Sequence, residues 1–234
     1  QYLEVIQGSS AVLFQLISDV LDVSKIESGQ IALEAITFCP QDLVQEAVRG
    51  FTAAAQHKGL PIQTEIEPQV PARLRGDPGR IRQILNNLLS NAIKFTESGR
   101  VLVRLAVVEM SEARVALQWQ VSDTGAGIPE KALEQLFKPF YQVSERDQST
   151  GAGLGLSICA RLGELMGGSM RVVSEPGLGS SFSLLLELPI VDMQAAPVAS
   201  RPQQGTRLPG KPLQILVAED NPINQAILQE QLHA

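Results

Sequence analysis

The sequence predicts an α/β chain, in which a two-layer sandwich has its helices on one face of a mixed sheet. A long bundle helix precedes this sandwich, and a linker and a truncated βα unit follow it. Three observations indicate this organisation: an apolar heptad spacing in residues 1–28, capped helices alternating with β-branched strands between 31 and 190, and a proline-rich stretch at 192–212.

The composition limits the class of protein. The chain has 234 residues, of which 44% are hydrophobic and 19% charged, so it can form one or two packed domains. Its net charge of -6 argues against a protein that binds nucleic acid. Cys39 and Cys159 match no metal-ligand spacing and suggest a reducing, cytoplasmic compartment. We find neither a transmembrane run nor a leader, and because the chain begins with Gln1 we expect a piece of a longer protein.

Residues 1–28 are predicted to form an amphipathic helix. Apolar residues follow alternating steps of three and four, which is typical of a helix in a bundle. The helix should end near Ser28 and Gly29, because glycine favours helix C-termini. The apolar residues at this spacing are Leu3, Ile6, Leu13, Ile17 and Val20.

The middle of the chain is predicted to alternate strands and helices. The strongest helix start is Asp77-Pro78, where a capping carboxylate precedes a proline at the first helical position. Predicted helices cover 40–58, 77–96, 129–136 and 153–166; predicted strands cover 31–38, 61–66, 72–75, 101–108, 115–121, 170–173 and 181–188; and 138–152 is predicted to be a polar loop.

Residues 192–212 are predicted to be a linker, since Pro197, Pro202, Pro209 and Pro212 lie among Ala, Gln and Ser. A buried-type strand at 213–217, an acidic turn and a helix from about 222 follow. One such unit cannot bury its own faces, so we expect the front of another domain.

The helix after Asp77 carries a first candidate site. At about 100° per residue, Asn87, Asn91 and Lys94 lie within an arc of roughly 60°, at the edge of the apolar face. An amide oxygen can bind magnesium and an ammonium can bind phosphate. On this helix alone, a solvated polar face is as good an interpretation.

Three glycine-containing turns carry the other candidates. Asp123-Thr-Gly-Ala-Gly-Ile ends a predicted strand with a carboxylate that could accept from an exocyclic amine, although an ordinary turn has the same pattern. Gly151-Ala-Gly-Leu-Gly-Leu precedes a helix, whose free N–H groups could meet an anion. Gly177-Leu-Gly-Ser-Ser-Phe leads into a strand and, alone, is a hairpin turn.

Together, in this order and spacing, these motifs resemble the nucleotide-binding boxes of sensor histidine kinases of the GHKL ATPase superfamily. The Asn box resembles residues 87–96, the F box resembles 137–140, and the three turns resemble the glycine boxes. Residues 21–29 resemble the end of the second helix of a dimerisation and phosphotransfer domain. Residues 215–224 resemble the opening of a receiver domain, as in a hybrid kinase.

The resemblance implies domains at 1–30 (part of the dimerisation domain), 31–190 (catalytic ATP-binding domain), 191–212 (linker) and 213–234 (start of a receiver). It implies ATP and Mg²⁺ as cofactors, with Asn91 on the metal, Asp123 on the adenine amine, and Ser180 or Ser181 supporting the base. We further expect Arg146, in a lid at 138–152 over ATP, to reach the γ-phosphate. The implied ATP-binding residues are Asn87, Asn91, Lys94, Phe95, Asp123, Gly125, Gly127, Ile128, Phe140, Arg146, Gly151, Gly153, Leu154, Gly155, Leu156, Ser180 and Ser181.

Two departures from the family pattern stand out. Ala152 fills a position where the family usually has threonine, so one phosphate contact is in doubt. The phosphoacceptor is the second departure, because neither His57 nor His233 precedes an acidic residue or lies on a bundle helix. We therefore expect no catalytic residue in this chain, with the acceptor histidine on a first bundle helix that is missing from it.

The resemblance predicts a protein-histidine kinase core that sends the γ-phosphoryl group to that histidine, for relay to a receiver aspartate. The alternative is a regulatory or heterodimerising module that binds nucleotide without phosphotransfer. An ATP-driven clamp like gyrase is disfavoured, since position 87 holds Asn where clamps have a glutamate. We expect a parent homodimer through the bundle helix, receiver or histidine-phosphotransfer partners, and the cytoplasmic portion of a bacterial sensor anchored in the inner membrane upstream.

Overall fold

The computed structural model describes residues 32–143 and 153–191, together with the single positions 17, 21, 24, 25, 28 and 225. The chain divides into two compact units, Gln1–Ala196 and Pro197–Ala234. Ile17, Leu21, Ser24 and Lys25 are helical, as expected for the first predicted helix. Ser28 lies in a turn. The rest of that predicted helix lies outside the described residues, as do the linker and the predicted strand at 213–217.

The described part of the chain alternates strands and helices as the sequence predicts. None of its helices is long and apolar enough to cross a lipid bilayer. The elements are β1 (Ile36–Phe38), α1 (Pro40–His57), β2 (Ile62–Ile66), β3 (Leu74–Gly76), α2 (Pro78–Phe95), β4 (Val101–Met110), β5 (Arg114–Asp123), α3 (Glu130–Leu133), α4 (Gly155–Leu165), β6 (Ser169–Glu175) and β7 (Gly179–Pro189).

Five strands form one mixed sheet in the order β2-β4-β5-β7-β6. The pair β2–β4 is parallel and the other three pairs are antiparallel. β1 and β3 form a separate antiparallel pair. The predicted α/β fold with a mixed sheet is therefore confirmed, and the long central strands β4, β5 and β7 all have one end near Asp123.

The core lies between the sheet and α1, α2 and α4. Every second residue of β5 is buried, which is the period of two expected for a strand with one covered face. The indole of Trp119 is 1% exposed and its cross-strand neighbours Leu105 and Leu184 are fully buried. From α2, the buried residues are Ile81, Ile84, Leu85, Leu88, Leu89, Ala92 and Ile93.

Asp77 fixes the start of α2. Its Oδ1 accepts a hydrogen bond from the backbone N–H of Arg80 at 3.0 Å, as a capping residue does. Its Oδ2 accepts from the N–H of Glu34, also at 3.0 Å, and so connects the helix to the segment before β1. Pro78 occupies the first helical position, where a missing N–H costs nothing.

Lys58 fixes the other end of α2. It follows α1, and its Nζ donates to the carbonyl oxygens of Ile93 at 2.7 Å and Lys94 at 3.0 Å. Thr96 Oγ1, fully buried, donates to the carbonyl of Ala92 at 2.6 Å. The last carbonyls of a helix have no partner within it, so Lys58 satisfies two acceptors at this end, while the carbonyl of Ala92 accepts from both the hydroxyl and the backbone N–H of Thr96.

The predicted helix at 129–136 is shorter than expected, because α3 covers only Glu130–Leu133. The N–H groups of Ala132, Gln135 and Leu136 bond to carbonyls three residues earlier rather than four. This tighter winding is that of a 3₁₀ helix, which rarely continues beyond a turn.

We predict that Leu88→Ala lowers the free energy of unfolding by about 2–5 kcal/mol, because it leaves a cavity between α2 and the sheet. Urea unfolding followed by the fluorescence of Trp119, the chain's one tryptophan, measures the change. Leu178→Ala is the matched control, since that leucine is 69% exposed and its loss should change stability by less than about 0.5 kcal/mol. Equal losses in the two variants would contradict this assignment of the core.

Candidate functional site

Three polar residues form a row across the ends of adjacent strands. Asp123, at the end of β5, pairs in register with Ser180 of β7, and Ser180 pairs with Ser174 of β6. Residues directly opposite on neighbouring strands project to the same face. Asp123 and Ser180 therefore lie side by side, on the face of the sheet that carries the helices.

The first glycine box folds tightly against the neighbouring turn. A Cβ on Gly127 would collide with the carbonyl oxygen of Glu175, and its φ of 67° also disfavours other residues. A Cβ on Gly179 would likewise collide with the carbonyl of Asp123. The N–H of Gly177 donates to the carbonyl of Ala126 at 2.7 Å. The two turns thus touch through their backbones, and only glycine permits the contact.

Asp123 is a half-buried carboxylate held by backbone donors. Its Oδ1 accepts from the N–H of Gly125 at 2.8 Å, and the N–H of Ser180 also bonds to it. Burial raises the pKa of Asp123 above its ordinary value, and these two hydrogen bonds offset part of the rise. The carboxylate is thus a hydrogen-bond acceptor whose charged form is costly to keep in the folded protein.

The end of α2 lies against the same turn. A Cβ on Gly125 would collide with the carbonyl oxygen of Phe95, the last residue of α2. Lys94 Nζ lies 4.4 Å from the centroid of the Phe95 ring, a cation–π distance. The Asn box and the first glycine box therefore meet at this point, as the resemblance implies.

Asn87 of α2 faces the second glycine box, and Asn91 lies beside it on the same helix. Asn91 Nδ2 donates to Asn87 Oδ1 at 3.1 Å, one helical turn away. A Cβ on Gly155, the first residue of α4, would lie 2.7 Å from Asn87 Oδ1 and closer still to its Nδ2. No side chain caps α4, whose N-cap residue is the buried Leu154. The start of α4 and the two amides thus form a second polar cluster.

The ends of the predicted lid are joined. The N–H of Phe140 donates to the carbonyl of Gly153 at 3.0 Å. Phe140 has a φ of 64° and is 70% exposed, an unusual conformation for a residue other than glycine. A Cβ on Gly153 would lie 2.9 Å from the backbone of Phe140 and Tyr141.

The side chains around Asn91 fit a magnesium ion only if a bound ligand supplies most of the oxygen atoms that coordinate the ion. Within 32–143 and 153–191 there is no group of three or more acidic, histidine or cysteine side chains that could hold a metal. Asn91 uses its amide nitrogen on Asn87, and its amide oxygen is a neutral hard ligand. Mg²⁺ keeps waters and takes substrate phosphates as ligands, so one amide oxygen is compatible with it.

The structure brings together most residues of the predicted site. Asp123, Gly125, Gly127, Ile128 and Ser180 gather at one end. Asn87, Asn91, Leu154, Gly155 and Leu156 gather at the other, with Lys94 and Phe95 between them on α2.

Some of the predicted residues do not join the site. Ser181 alternates with Ser180, lies on the opposite face of the sheet, and bonds there with Gln120 and Ser122. Between the two alternatives for supporting the base, the structure favours Ser180. Arg146 and Gly151 lie outside the described residues.

Two residues of the site were not predicted. Ser174 contacts Ile128, Gly179 and Ser180, and Lys58 bonds to the carbonyl end of α2. Lone Ser and Lys residues carry no pattern of their own. Only the register of β6 on β7, and the packing of α1 on α2, place them at the site.

Comparisons with known proteins agree with this geometry. Residues 76–190 match the family of histidine kinase-, DNA gyrase B- and HSP90-like ATPases. The virulence sensor protein BvgS of Bordetella bronchiseptica is 39% identical over 99% of this chain and 19% of its own length. The sensor histidine kinase RcsC of Escherichia coli is 42% identical over 77% of this chain, again 19% of its own length. The chain thus spans about a fifth of these curated relatives.

Solved structures give the same result. The structure of full-length ShkA in complex with AMPPNP is similar with a TM-score of 0.71 and 32% identity, covering 81% of this chain and 39% of that one. The catalytic domain of the histidine kinase ThkA has a TM-score of 0.53 and 29% identity, covering 67% of this chain and 95% of its own. The resemblance drawn from the motifs is confirmed, and residues 76–190 of this chain belong to the family of histidine kinase-, DNA gyrase B- and HSP90-like ATPases.

Proposed function

We propose that this chain is the catalytic core of a hybrid sensor histidine kinase, which binds Mg-ATP and transfers the γ-phosphoryl group to a histidine on a bundle helix. One observation carries the proposal: the Asp123 cluster and the Asn87–Gly155 cluster lie against the same helix, α2. Asn87 and Phe95 are eight residues apart, about 12 Å along a helix. A nucleotide can therefore reach both clusters at once, with its base at one and its phosphates at the other.

At the base end, Asp123 would accept a hydrogen bond from the exocyclic amine of adenine. The backbone N–H groups of Gly125 and Ser180 keep the carboxylate in a fixed orientation. Gly127 allows the turn before Ile128 to pack on the carbonyl of Glu175, which would hold this side of the base site in place. Fixed acceptors lose little freedom when the ligand binds, which favours affinity.

At the phosphate end, the start of α4 would meet the anionic groups. Its uncapped N-terminus presents backbone N–H groups and the positive end of the helix dipole. Asn91 would supply an oxygen to Mg²⁺, which neutralises phosphate charge, while Asn87 and Lys94 would lie on the nucleotide. Phosphoryl transfer depends mainly on positioning and charge neutralisation, and these residues provide them.

The acceptor is proposed to be a histidine on a bundle helix that is not part of this chain. His57 is exposed at the end of α1, and Lys58 rather than an acidic residue follows it. Hydrolysis by a clamp is not supported, because the Asn87 amide, bonded to Asn91, cannot act as a base toward water.

The wider organisation is also proposed from the resemblance. Residues 1–30 would be the second helix of a dimerisation domain, 31–190 the catalytic domain, 191–212 a linker and 213–234 the start of a receiver. Similarity to sensor proteins over nearly the whole chain supports this division. We propose that the parent protein is a homodimer, passes phosphate to a receiver or histidine-phosphotransfer protein, and carries this portion in the cytoplasm below an upstream anchor in a bacterial inner membrane.

We predict that Asp123→Asn lowers the affinity for Mg-ATP by at least about tenfold, because the amide no longer offers two acceptor oxygens. The same variant should melt at a higher temperature without ligand. Its amide oxygen still accepts from Gly125, and the cost of burying a charge is gone. Calorimetric titration and thermal unfolding measure the two effects, with the exposed Asp42→Asn as control.

The raised pKa of Asp123 also gives a pH dependence with a definite sign. Its folded-state pKa lies above the unfolded value, so the folded state binds the proton more tightly and this group favours folding increasingly as the pH falls through that pKa. The affinity for ATP should fall over the same pH interval, in which the carboxylate of Asp123 takes up a proton, because a protonated carboxyl loses acceptor capacity. Affinity that is independent of pH in this interval would contradict the role of Asp123.

We predict that Asn91→Ala removes most of the magnesium dependence of ATP binding. Its affinity with Mg²⁺ should fall roughly tenfold, toward that of the parent in EDTA. Asn86→Ala, an exposed asparagine of the same helix, is the control and should bind like the parent. Magnesium dependence that survives unchanged in Asn91→Ala would place the ion elsewhere.

Phosphotransfer is tested by mixing the chain with a protein that supplies the histidine-bearing bundle helix, together with γ-labelled ATP. We expect an acid-labile phosphohistidine on that protein, reduced at least tenfold when the chain carries Asp123→Asn. ATP binding without any transfer would instead favour the regulatory module. If the chain neither binds ATP nor transfers phosphate, the proposal is wrong.

A further inference from the structure

The hydroxyl of Ser174 makes three hydrogen bonds at the base end of the site. Its oxygen lies 2.8 Å from the backbone nitrogen of Ile128, 2.8 Å from the carbonyl oxygen of Gly179 and 3.0 Å from Ser180 Oγ. A hydroxyl has one proton and two acceptor lone pairs. Three partners therefore use its whole capacity.

The direction of each bond follows from the partners. The N–H of Ile128 can only donate, and the carbonyl of Gly179 can only accept. The single proton of Ser174 is thus committed to Gly179. In its contact with Ser180, Ser174 must then accept, so the Ser180 proton points toward Ser174.

This arrangement decides what Ser180 can offer to a ligand. Its proton is occupied, so the oxygen retains only lone pairs, and it lies beside the carboxylate of Asp123 in the cross-strand row. Both side chains are then acceptors. Two neighbouring acceptors favour a ligand edge that carries donors and oppose an edge that carries an acceptor such as a carbonyl.

We propose that Ser174 is a positioning residue for purine specificity: by holding Ser180 as an acceptor, it makes the site favour a 6-amino purine over a 6-oxo purine. The proposal rests on the proposed function, since it concerns the same base pocket. Ser174 acts through Ser180, and it also connects the two turns that build the pocket.

The test compares the affinities for Mg-ATP and Mg-ITP, because inosine carries a carbonyl where adenine carries the amine. In Ser174→Ala, the Ser180 hydroxyl is released and can turn its proton toward that carbonyl. We expect the ATP preference to fall roughly fivefold or more, which is the range of one neutral hydrogen bond. Ser174→Thr, which keeps the hydroxyl, should retain the preference, as should the exposed control Ser169→Ala.

A double-mutant cycle shows whether Ser174 acts through Ser180. Ser180→Ala should reduce the preference, and adding Ser174→Ala should change it no further. A parallel loss of affinity for both nucleotides in Ser174→Ala, or an unchanged preference, would overturn the inference and leave Ser174 a structural residue. If the parent chain itself fails to bind ATP, the proposed function fails instead, and the two failures are thereby distinguished.

Discussion

The site depends on one backbone contact, between the turn that follows β5 and the turn that joins β6 to β7. Gly127 lies on the carbonyl of Glu175, and Gly179 lies on the carbonyl of Asp123, with no room for a side chain at either position. This contact holds the two turns together beside the strand ends, where Asp123 pairs with Ser180 in the sheet. Without it, the turns that flank this row of polar groups would no longer be held against each other.

The position of α2 is the second requirement, because this helix connects the two polar clusters. Asp77 holds its first turn and Lys58 its last, so hydrogen bonds from other segments fix it at each end. Burial of its apolar face on the sheet fixes its rotation, and thereby the direction of Asn87 and Asn91. The residues that set the geometry of the site are therefore distributed over the whole domain, while those that would meet a ligand are few.

Much of this could be predicted from sequence, because the signals were local. The capping of α2 by Asp77, the apolar strands and the glycine turns each depend on neighbours in the chain, and the structure contains them nearly where expected. The choice between Ser180 and Ser181 needed the register of β7 on β5, since one step along a strand changes the face. The roles of Ser174 and Lys58 arise from pairing and packing between distant segments, which no local pattern records.

Lys58 also links the movements of two helices. Its ammonium group, one residue beyond α1, is bonded to the final carbonyls of α2, so separating the ends of the two helices would break these hydrogen bonds. A displacement of the end of α1 would therefore act on the last turn of α2, where the carbonyl of Phe95 packs against Gly125. One lysine thus connects the first glycine box to a helix that carries none of the residues proposed to meet the nucleotide.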